Sequence, residues 1–456
     1  MEEEKGEYDR TDKGPTERMS ESATANLIVA ICCVSMLGLF FFLYIWGSTT
    51  FSAPLKHGSD PEAWLQGNST PTETTLEGTS TRTETSVKDT PTTTKTRVKA
   101  SNRPVSPDAL VCTFGPDTKA DTVFPEDGLC DYTVLEVLPV KQVRDLAGPY
   151  SSEVQHFIDT AANHTRTEYG VAFDSDDKDR MKEIVKDPAA KSHLDSLFKS
   201  RIFHYGYINT DPYLFDAQSM ADVLGILKAV VNLLADKKTA ARPIYTILAS
   251  TWSQKYDQVS ATEAAAKFKS VLVPDIYISK AHLVENDSRF NDCVILPATF
   301  ISAGGAAESN DVYFFNLVTA LKHASDMNKL RHEGVGSAAL FVSVGVYGRW
   351  YFDRIDNGNS SEGDTVGTPC LPHKFPEQMD SAAKVCGNNK YGEPHDCQKM
   401  DCRFVVDQEE NKRLVFDSAD TLRRKLCRSK RNVTDFKYGI VAARVEHSDA
   451  SGGCGG

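Results

Sequence analysis

Residues 221–250 read ADVLGILKAVVNLLADKKTAARPIYTILAS, a helical pattern followed by a strand pattern. With the methionine before it, this stretch places apolar residues at positions 220, 223, 224, 227, 230, 231 and 234, which form one wide helical face. The run IYTILA at 244–249 is short, apolar and partly β-branched, as buried strands are. A helix that leads directly into such a strand is the repeating unit of an α/β fold.

The same alternation extends over the chain from residue 107 onward. Short apolar runs separated by helical stretches occur at 110–114, 132–137, 169–173, 202–208, 244–249, 276–279, 341–346 and 439–445. Further helices are predicted at 312–324 and 418–426, the second with Ser418 as its N-cap. Eight strands that alternate with helices predict an α/β fold, a (β/α)8 TIM barrel over residues 107–449, although periodicity alone also allows a doubly wound sheet.

A long apolar run lies near the N-terminus. Residues 27–46 read LIVAICCVSMLGLFFFLYIW and contain no charged side chain. As a helix this run would span about 30 Å, the thickness of the hydrocarbon core, whereas a cleaved signal peptide has a shorter run of about 7–15 residues. Lys and Arg are in excess on its N-terminal side. Residues 1–26 are therefore predicted to be a disordered cytoplasmic segment, with residues 27–46 as the signal anchor of a single-pass type II plasma-membrane protein.

A Ser/Thr-rich stretch separates this anchor from the strand pattern. Residues 47–106 include NSTPTETTLEGTSTRTETSVKDTPTTTKT, which offers little to bury and is typical of an extended, O-glycosylated stalk or of a plain linker. N-glycosylation sequons begin at Asn68, Asn163, Asn286, Asn359 and Asn432. The sequons are consistent with an extracellular glycoprotein domain.

The cysteines also indicate that the domain is extracellular. Cys32 and Cys33 lie in the anchor and nine others follow it, most of which should pair on the oxidising side of a membrane. A zinc site is disfavoured because the four residues that would form it match no common finger spacing: Cys386, His395, Cys397 and Cys402. Cys454 lies in the flexible tail, residues 450–456, and is predicted to be the unpaired thiol, which would allow a disulfide-linked dimer.

Five segments in order carry a resemblance to a known family. They are LVCTFGP…GLCDYTVLEV at 110–137, KEIVKDPAAKSHLDSLFKS at 182–200, the stretch at 221–250, ALFVSVGVYGRWY at 339–351 and RLVFDSADTLRRKL…YGIVAARVEHSD at 413–449. Together they resemble strands and helices of glycoside hydrolase family 18, the chitinases and chitinase-like proteins. The resemblance implies a TIM barrel, a disulfide between Cys112 and Cys130, and a small insertion between strands seven and eight.

The resemblance also implies where catalysis would occur. Active members cleave β-1,4-linked N-acetylglucosamine polymers with a DxxDxDxE motif on strand four, whose Glu is the acid and whose neighbouring Asp orients the substrate's assisting acetamido group. The motif aligns with FHYGYINTD at residues 203–211. His204, Tyr207 and Asn209 then stand at the three Asp positions, and Asp211 stands at the Glu position. The shorter Asp side chain at the Glu position and the three missing aspartates imply an inactive barrel, because an error of about 1 Å in placement can cost about 100-fold in rate.

Three other positions of the family's site, on two further strands, also differ. The strand-six Tyr-Asp pair aligns with Ala281 and His282, and the strand-eight Trp aligns with Ala443. The chain contains no Gly-x-Ser-x-Gly elbow, His-Glu-x-x-His motif or phosphate-binding loop. The sequence therefore predicts a protein that is not an enzyme and uses no cofactor and no metal.

Ligand binding without catalysis remains open, since inactive family members often bind oligosaccharides in the groove. The candidate ligand-binding residues follow strands four to seven: Tyr205, Tyr207, Asp211, Trp252, His282, Arg349 and Trp350. Their rings would stack on sugars and Arg349 would donate hydrogen bonds, although core packing is the plainer explanation for each ring taken singly.

The main hypothesis is a non-catalytic, chitinase-like cell-surface glycoprotein that recognises a chitin-type oligosaccharide or an extracellular protein. One alternative is an active or residual glycoside hydrolase that uses Asp211, and another is a structural or adhesive ectodomain that binds no sugar. A net charge of −12 argues against a nucleic-acid partner, which would require a basic face.

Overall fold

The computed structural model describes ten stretches of the chain: residues 105–210, 216–239, 242–251, 260–283, 293–302, 315–330, 338–353, 366–371, 379–431 and 436–449. Several predictions lie outside these residues: the anchor, the stalk, the tail with Cys454, the candidates Asp211 and Trp252, and the sequons at Asn68, Asn286, Asn359 and Asn432. Asn163 is described and is exposed. In the part of the chain that is described, no helix is long and apolar enough to cross a membrane.

Eight parallel strands form a closed barrel in the order β1-β14-β7-β6-β5-β4-β3-β2. They are β1 (Leu110–Phe114), β2 (Tyr132–Leu135), β3 (Glu168–Ala172), β4 (Ile202–Tyr207), β5 (Thr246–Ser250), β6 (Ile276–Ser279), β7 (Ala339–Gly345) and β14 (Gly439–Ala443). The last strand closes the ring, with Ile440 opposite Leu110 on one side and Gly439 opposite Phe341 on the other. The closed ring confirms the predicted TIM barrel over the doubly wound alternative.

Helices connect these strands. They are α1 (Ser152–Asn163), α2 (Lys178–Ile184), α3 (Ala190–Lys199), α4 (Ala217–Leu233), α5 (Ala261–Ser270), α6 (Leu317–Leu330) and α7 (Ala419–Lys430). The quoted stretch forms α4, which starts where Asp216 accepts a hydrogen bond from the Ser219 backbone N–H at 2.7 Å. Ser418 caps α7 as predicted, accepting from the Thr421 backbone N–H.

An antiparallel sheet is inserted between β7 and α7. Its strands are β8 (Gly348–Asp353), β9 (Cys370–Leu371), β10 (Met379–Asp380), β11 (His395–Cys397), β12 (Cys402–Asp407) and β13 (Lys412–Phe416). The order is β10-β8-β13-β12-β11, with β9 paired to β8. The insertion therefore lies between the seventh and eighth barrel strands, as predicted.

In two disulfide bonds, both cysteines lie within the described residues. The Cys112–Cys130 bond joins β1 to the residues just before β2, which confirms the pairing that the family resemblance implied. The Cys293–Cys370 bond joins the segment after β6 to β9. The second bond therefore links the barrel to its insertion.

Candidate functional site

The alternation of side chains decides which residues of β4 face the barrel interior. Ile208, just beyond β4, packs in one apolar cluster with Ile247 of β5 and Ile278 of β6. Tyr205 and Tyr207 pack in a different cluster, which contains the buried residues of α4. Since successive side chains of a strand point to opposite faces, Tyr205 and Tyr207 face the helices, and His204, Gly206 and Ile208 face the interior; the register shift before His204 leaves Ile202 on the helix side as well.

The placement of Tyr207 at an Asp position of the catalytic motif was therefore wrong. Tyr207 is fully buried against the helical layer, so it does not occupy an inward Asp position. The interior face of this stretch carries His204, Gly206 and Ile208, and none of these side chains carries a carboxylate. Tyr205 and Tyr207 were also candidates for sugar stacking, and both rings are 0% exposed within the helical layer.

His204 faces the interior, but it lies at the amino-terminal end of the strands and not at the carboxyl end where a catalytic site would be. Its Nε2 is 3.0 Å from an oxygen of Glu168, the first residue of β3, and its Nδ1 accepts from the Tyr245 backbone N–H at 3.2 Å. Sites in this fold lie at the carboxyl ends of the strands. His204 therefore belongs to the amino-terminal end of the barrel interior, and its placement in the catalytic motif is corrected.

Lys280, the first residue after β6, extends into the barrel mouth beside the end of β4. Its side chain is 2% exposed. The Nζ atom donates to the carbonyl oxygens of Ile208 at 3.4 Å and Thr210 at 3.1 Å. A buried cation therefore contacts the backbone at the end of the strand where the family carries its catalytic carboxylates.

A buried ion pair crosses the mouth on the other side. Arg444 directly follows β14, and its Nε is 2.8 Å from Glu136, which follows β2. Glu136 also accepts from the Thr113 hydroxyl at 2.6 Å. The Arg444 guanidinium lies over Gly115, where a Cβ atom would collide with it. Glycine at this position therefore leaves the space that the arginine fills.

Glu446 is a second carboxyl at this end of the barrel. Its Oε1 accepts from the Gly115 backbone N–H at 2.7 Å, while its Oε2 is buried without a hydrogen bond from the described residues. Burial, followed by the negative charge of Glu136, raises the pKa of Glu446 to about 7. This carboxyl is therefore partly protonated near neutral pH.

His282 forms part of the wall of the mouth. The Ser343 hydroxyl accepts from the Ala281 backbone N–H at 2.9 Å and shares a hydrogen bond of 2.7 Å with Nδ1 of His282. Burial, and then the charges of Lys280 and Arg444, lower the pKa of His282 well below its usual value. His282 is therefore a neutral, hydrogen-bonded side chain that is 5% exposed.

Arg349 and Trp350 lie in the insertion rather than at the end of a barrel strand. Both belong to β8, because the barrel strand ends at Gly345. The Trp350 Nε1 donates to Asp380 at 3.2 Å, and the Lys412 ammonium lies 4.6 Å from the centre of its ring. Arg349 is fully buried and donates to the Leu283 carbonyl at 3.5 Å. Trp350 therefore packs within the insertion, whereas the Arg349 guanidinium reaches the segment after β6, beside His282.

Sequence reasoning missed four charged residues of the mouth: Glu136, Lys280, Arg444 and Glu446. A common signal marks the first three, since each is a charged residue at the carboxyl end of an apolar strand run: YTVLE, IYISK and IVAAR. In a barrel these ends converge on one face. Within the described residues, no group of His, Cys, Asp or Glu side chains is arranged to hold a metal ion.

Comparisons with known proteins identify the fold. No family model matches the chain, and no curated protein matches it in sequence. Human YKL-39, described as a pseudo-chitinase with retained chitooligosaccharide binding properties, is 14% identical with a TM-score of 0.51, over 76% of this chain and 95% of that one. A Group IV chitinase of Ostrinia furnacalis is 13% identical with a TM-score of 0.51, over 76% and 95%.

A third solved structure extends the comparison. The immunomodulatory active chitinase TsES1 of Trichuris suis is 12% identical with a TM-score of 0.50, over 75% of this chain and 93% of that one. The chain therefore has the TIM-barrel fold of the glycoside hydrolase family 18 chitinases and chitinase-like proteins, as the resemblance implied. Because the structural neighbours include active chitinases and a pseudo-chitinase, the fold is compatible both with catalytic activity and with its absence.

Proposed function

We propose that this chain is a non-catalytic, chitinase-like recognition protein. One observation carries the proposal: the interior positions at the end of β4 are Gly206 and Ile208, and Lys280 donates to the backbone carbonyls of Ile208 and Thr210 beside them. Hydrolysis needs a protonated acid within hydrogen-bond reach of the leaving oxygen. Side chains without a carboxyl cannot supply that proton from this strand.

The favoured ligand is a chitin-type oligosaccharide, as for the pseudo-chitinase neighbour. The described mouth offers cations and hydrogen-bonding groups, but the described aromatic candidates are buried in the helical layer or the insertion. Stacking would therefore depend on Trp252, which directly follows Thr251 at the end of β5. An extracellular protein is the second class of ligand, and it would leave the groove unused.

Calorimetric titration of the full-length chain in detergent with chitohexaose tests the choice of ligand. Saturable heat, weakened about tenfold by Trp252→Ala, supports a sugar groove, since stacking contributes about 0.5–1.5 kcal/mol beyond area burial. A matched control, Tyr391→Ala, removes a ring from the insertion instead. An unaltered affinity in Trp252→Ala contradicts sugar binding in a groove that includes Trp252. The absence of heat with the wild-type chain favours an extracellular protein as the ligand.

A residual glycoside hydrolase is the competing function, and one observation favours it. Glu446 is a carboxyl at the mouth with a pKa near 7, which suits a general acid. Asp211 is the other candidate acid. If the chain hydrolyses chitohexaose, Glu446→Gln and Asp211→Asn identify which carboxyl is used, because the required acid loses its proton-donating group.

The proposed setting is the cell surface, with the barrel outside the plasma membrane. Antibody staining of an epitope placed after residue 456 on intact, unpermeabilised cells tests this orientation. Staining at the C-terminus, with an N-terminal epitope visible only after permeabilisation, is the result expected for a type II anchor. The reverse pattern contradicts it.

A further inference from the structure

Two cysteines lie opposite each other in the hairpin of β11 and β12. The antiparallel register places Cys397 opposite Cys402. Directly opposed residues in such a pair have Cα atoms about 4.5–5.5 Å apart, and disulfides span Cα separations of about 4.4–6.8 Å. The backbone of the hairpin therefore already holds these two residues at a separation that a disulfide requires.

The two side chains also meet inside the insertion. Each is 1% exposed, and both belong to the apolar cluster that contains the Cys293–Cys370 disulfide. The Cys402 thiol shares a hydrogen bond with Cys397, and the Met400 backbone N–H donates to the Cys397 sulfur at 3.4 Å. The sulfur atoms thus face each other in a site that solvent does not reach.

We propose that Cys397 and Cys402 form a cross-strand disulfide as the insertion folds. A small-molecule or protein disulfide is the oxidant. One cysteine thiolate attacks the oxidant and releases its first thiol, and the second thiolate then attacks the resulting mixed disulfide and releases the other thiol. The two cysteines lose two protons and two electrons, and the oxidant is reduced to two thiols.

Burial decides when this exchange takes place. The hydrogen bond with Cys397, together with burial, raises the pKa of the Cys402 thiol well above its usual value. Thiolate is the attacking species, so the packed hairpin exchanges slowly and the open hairpin exchanges readily. The bond forms before the insertion closes and is then shielded from soluble reductants.

The bond would also fix a contact between the insertion and the barrel. Asp401, the residue before Cys402, accepts from Arg424 at 2.7 Å and lies 3.9 Å from Arg428. Both arginines are on α7, the helix that precedes the last barrel strand. A covalent closure of residues 397–402 would therefore hold Asp401 against α7.

Peptide mass spectrometry on the full-length chain tests this assignment. The chain is purified without reductant, unfolded in guanidinium with N-ethylmaleimide and digested. Cys427, which is exposed on α7, is the internal control and takes up the label. The expected peptide with Cys397 and Cys402 is unlabelled and two hydrogens lighter than its reduced form. Label on both residues, or a bond from either to another cysteine, overturns the proposal.

Refolding in a mixture of reduced and oxidised glutathione gives a second measurement. Because the register places the two sulfurs together, wild type and Cys427→Ala should both recover the Cys397–Cys402 bond. In the non-reduced state, the double variant C397A/C402A should then lose a few degrees in Tm relative to Cys427→Ala. Thiols that persist at both positions in this buffer contradict the proposal.

Discussion

Glu446 illustrates how burial and charge act on one side chain in the same direction. In the unfolded chain its pKa is about 4.3. In the folded chain, burial and the nearby Glu136 raise the pKa to about 7. Between these two values the folded state binds more protons than the unfolded state, so the contribution of Glu446 to stability falls as pH rises from about 4.3 through about 7.

Glu446→Gln should remove this pH dependence. The amide oxygen can still accept from the Gly115 backbone N–H, and the uncharged group no longer opposes Glu136. We expect the variant to have a higher Tm than wild type at pH 8 and a similar Tm at pH 5. The control is Glu183→Gln, which alters an exposed glutamate on α2. A wild-type advantage at pH 8 would contradict the raised pKa.

Lys425 is a second buried charge, and its partners connect α7 to the rest of the fold. Its Nζ donates to Asp417 at 2.5 Å and to the Thr299 carbonyl at 2.6 Å, and the side chain is fully buried. Breaking a buried pair from one side leaves the other charge without its counterion, which typically costs about 3–5 kcal/mol.

Lys425→Met should therefore lower the free energy of unfolding by about 3 kcal/mol or more. The double variant K425M/D417L should recover much of that loss, because it removes the orphaned carboxyl as well. Urea unfolding at pH 7 measures both variants, with the exposed Lys430→Met on the same helix as the matched control. Equal losses in the single and double variants would show that packing, and not the charge pair, sets the stability.

At the scale of secondary structure, α5 begins with a reciprocal cap formed by Ser260 and Glu263. Ser260 accepts from the Glu263 backbone N–H at 3.2 Å, and the Glu263 carboxylate accepts from the Ser260 backbone N–H at 2.9 Å. This reciprocal pair is a capping box, which satisfies two otherwise unpaired donors at the helix start.

Ser260→Ala should destabilise the fold by about 1 kcal/mol. The hydroxyl acceptor is lost while the helix length is unchanged. Chemical denaturation measures the effect, and Ser270→Ala at the other end of α5 is the control, since its hydroxyl donates only to the Lys267 carbonyl. A loss as large in Ser270→Ala would mean that the cap is not responsible.

Strand and helix positions followed from local patterns, but the register of β4 did not. Each apolar run was long enough to locate a strand, and α4 was marked by its periodic face. Residues 203–211 contain no DxxDxDxE pattern, so no anchor residue fixed the register of β4. A shift of one residue exchanges the two faces of a strand, which is why Tyr207 was assigned inward although it packs against the helices.

Charged residues of the mouth were missed for a different reason. Glu136, Lys280 and Arg444 are far apart in sequence and come to the same end of the barrel only when the barrel closes. Arg349 and Trp350 were misplaced because the run after Gly345 continues as a strand, and sequence pattern alone does not show that this strand joins another sheet. Both errors concern long-range pairing, which local propensity does not encode.

At the scale of the whole molecule, the described barrel has the TIM-barrel fold of chitinases and a mouth with charged side chains of both signs. Cations at Lys280 and Arg444 lie where the strand ends converge, and the interior of β4 contributes no carboxyl. This distribution supports a scaffold that binds a ligand without cleaving it. The proposed anchor and stalk would then present the barrel away from the membrane surface.

Turnover of chitohexaose tests this account most directly. The full-length chain in detergent is incubated with the hexasaccharide at pH 5 and pH 7, and the products are measured by mass spectrometry after prolonged reaction. The account predicts intact hexasaccharide at both pH values, identical to an incubation without protein. Shorter chito-oligosaccharides that accumulate in proportion to protein, and that disappear with Glu446→Gln or Asp211→Asn, would contradict it.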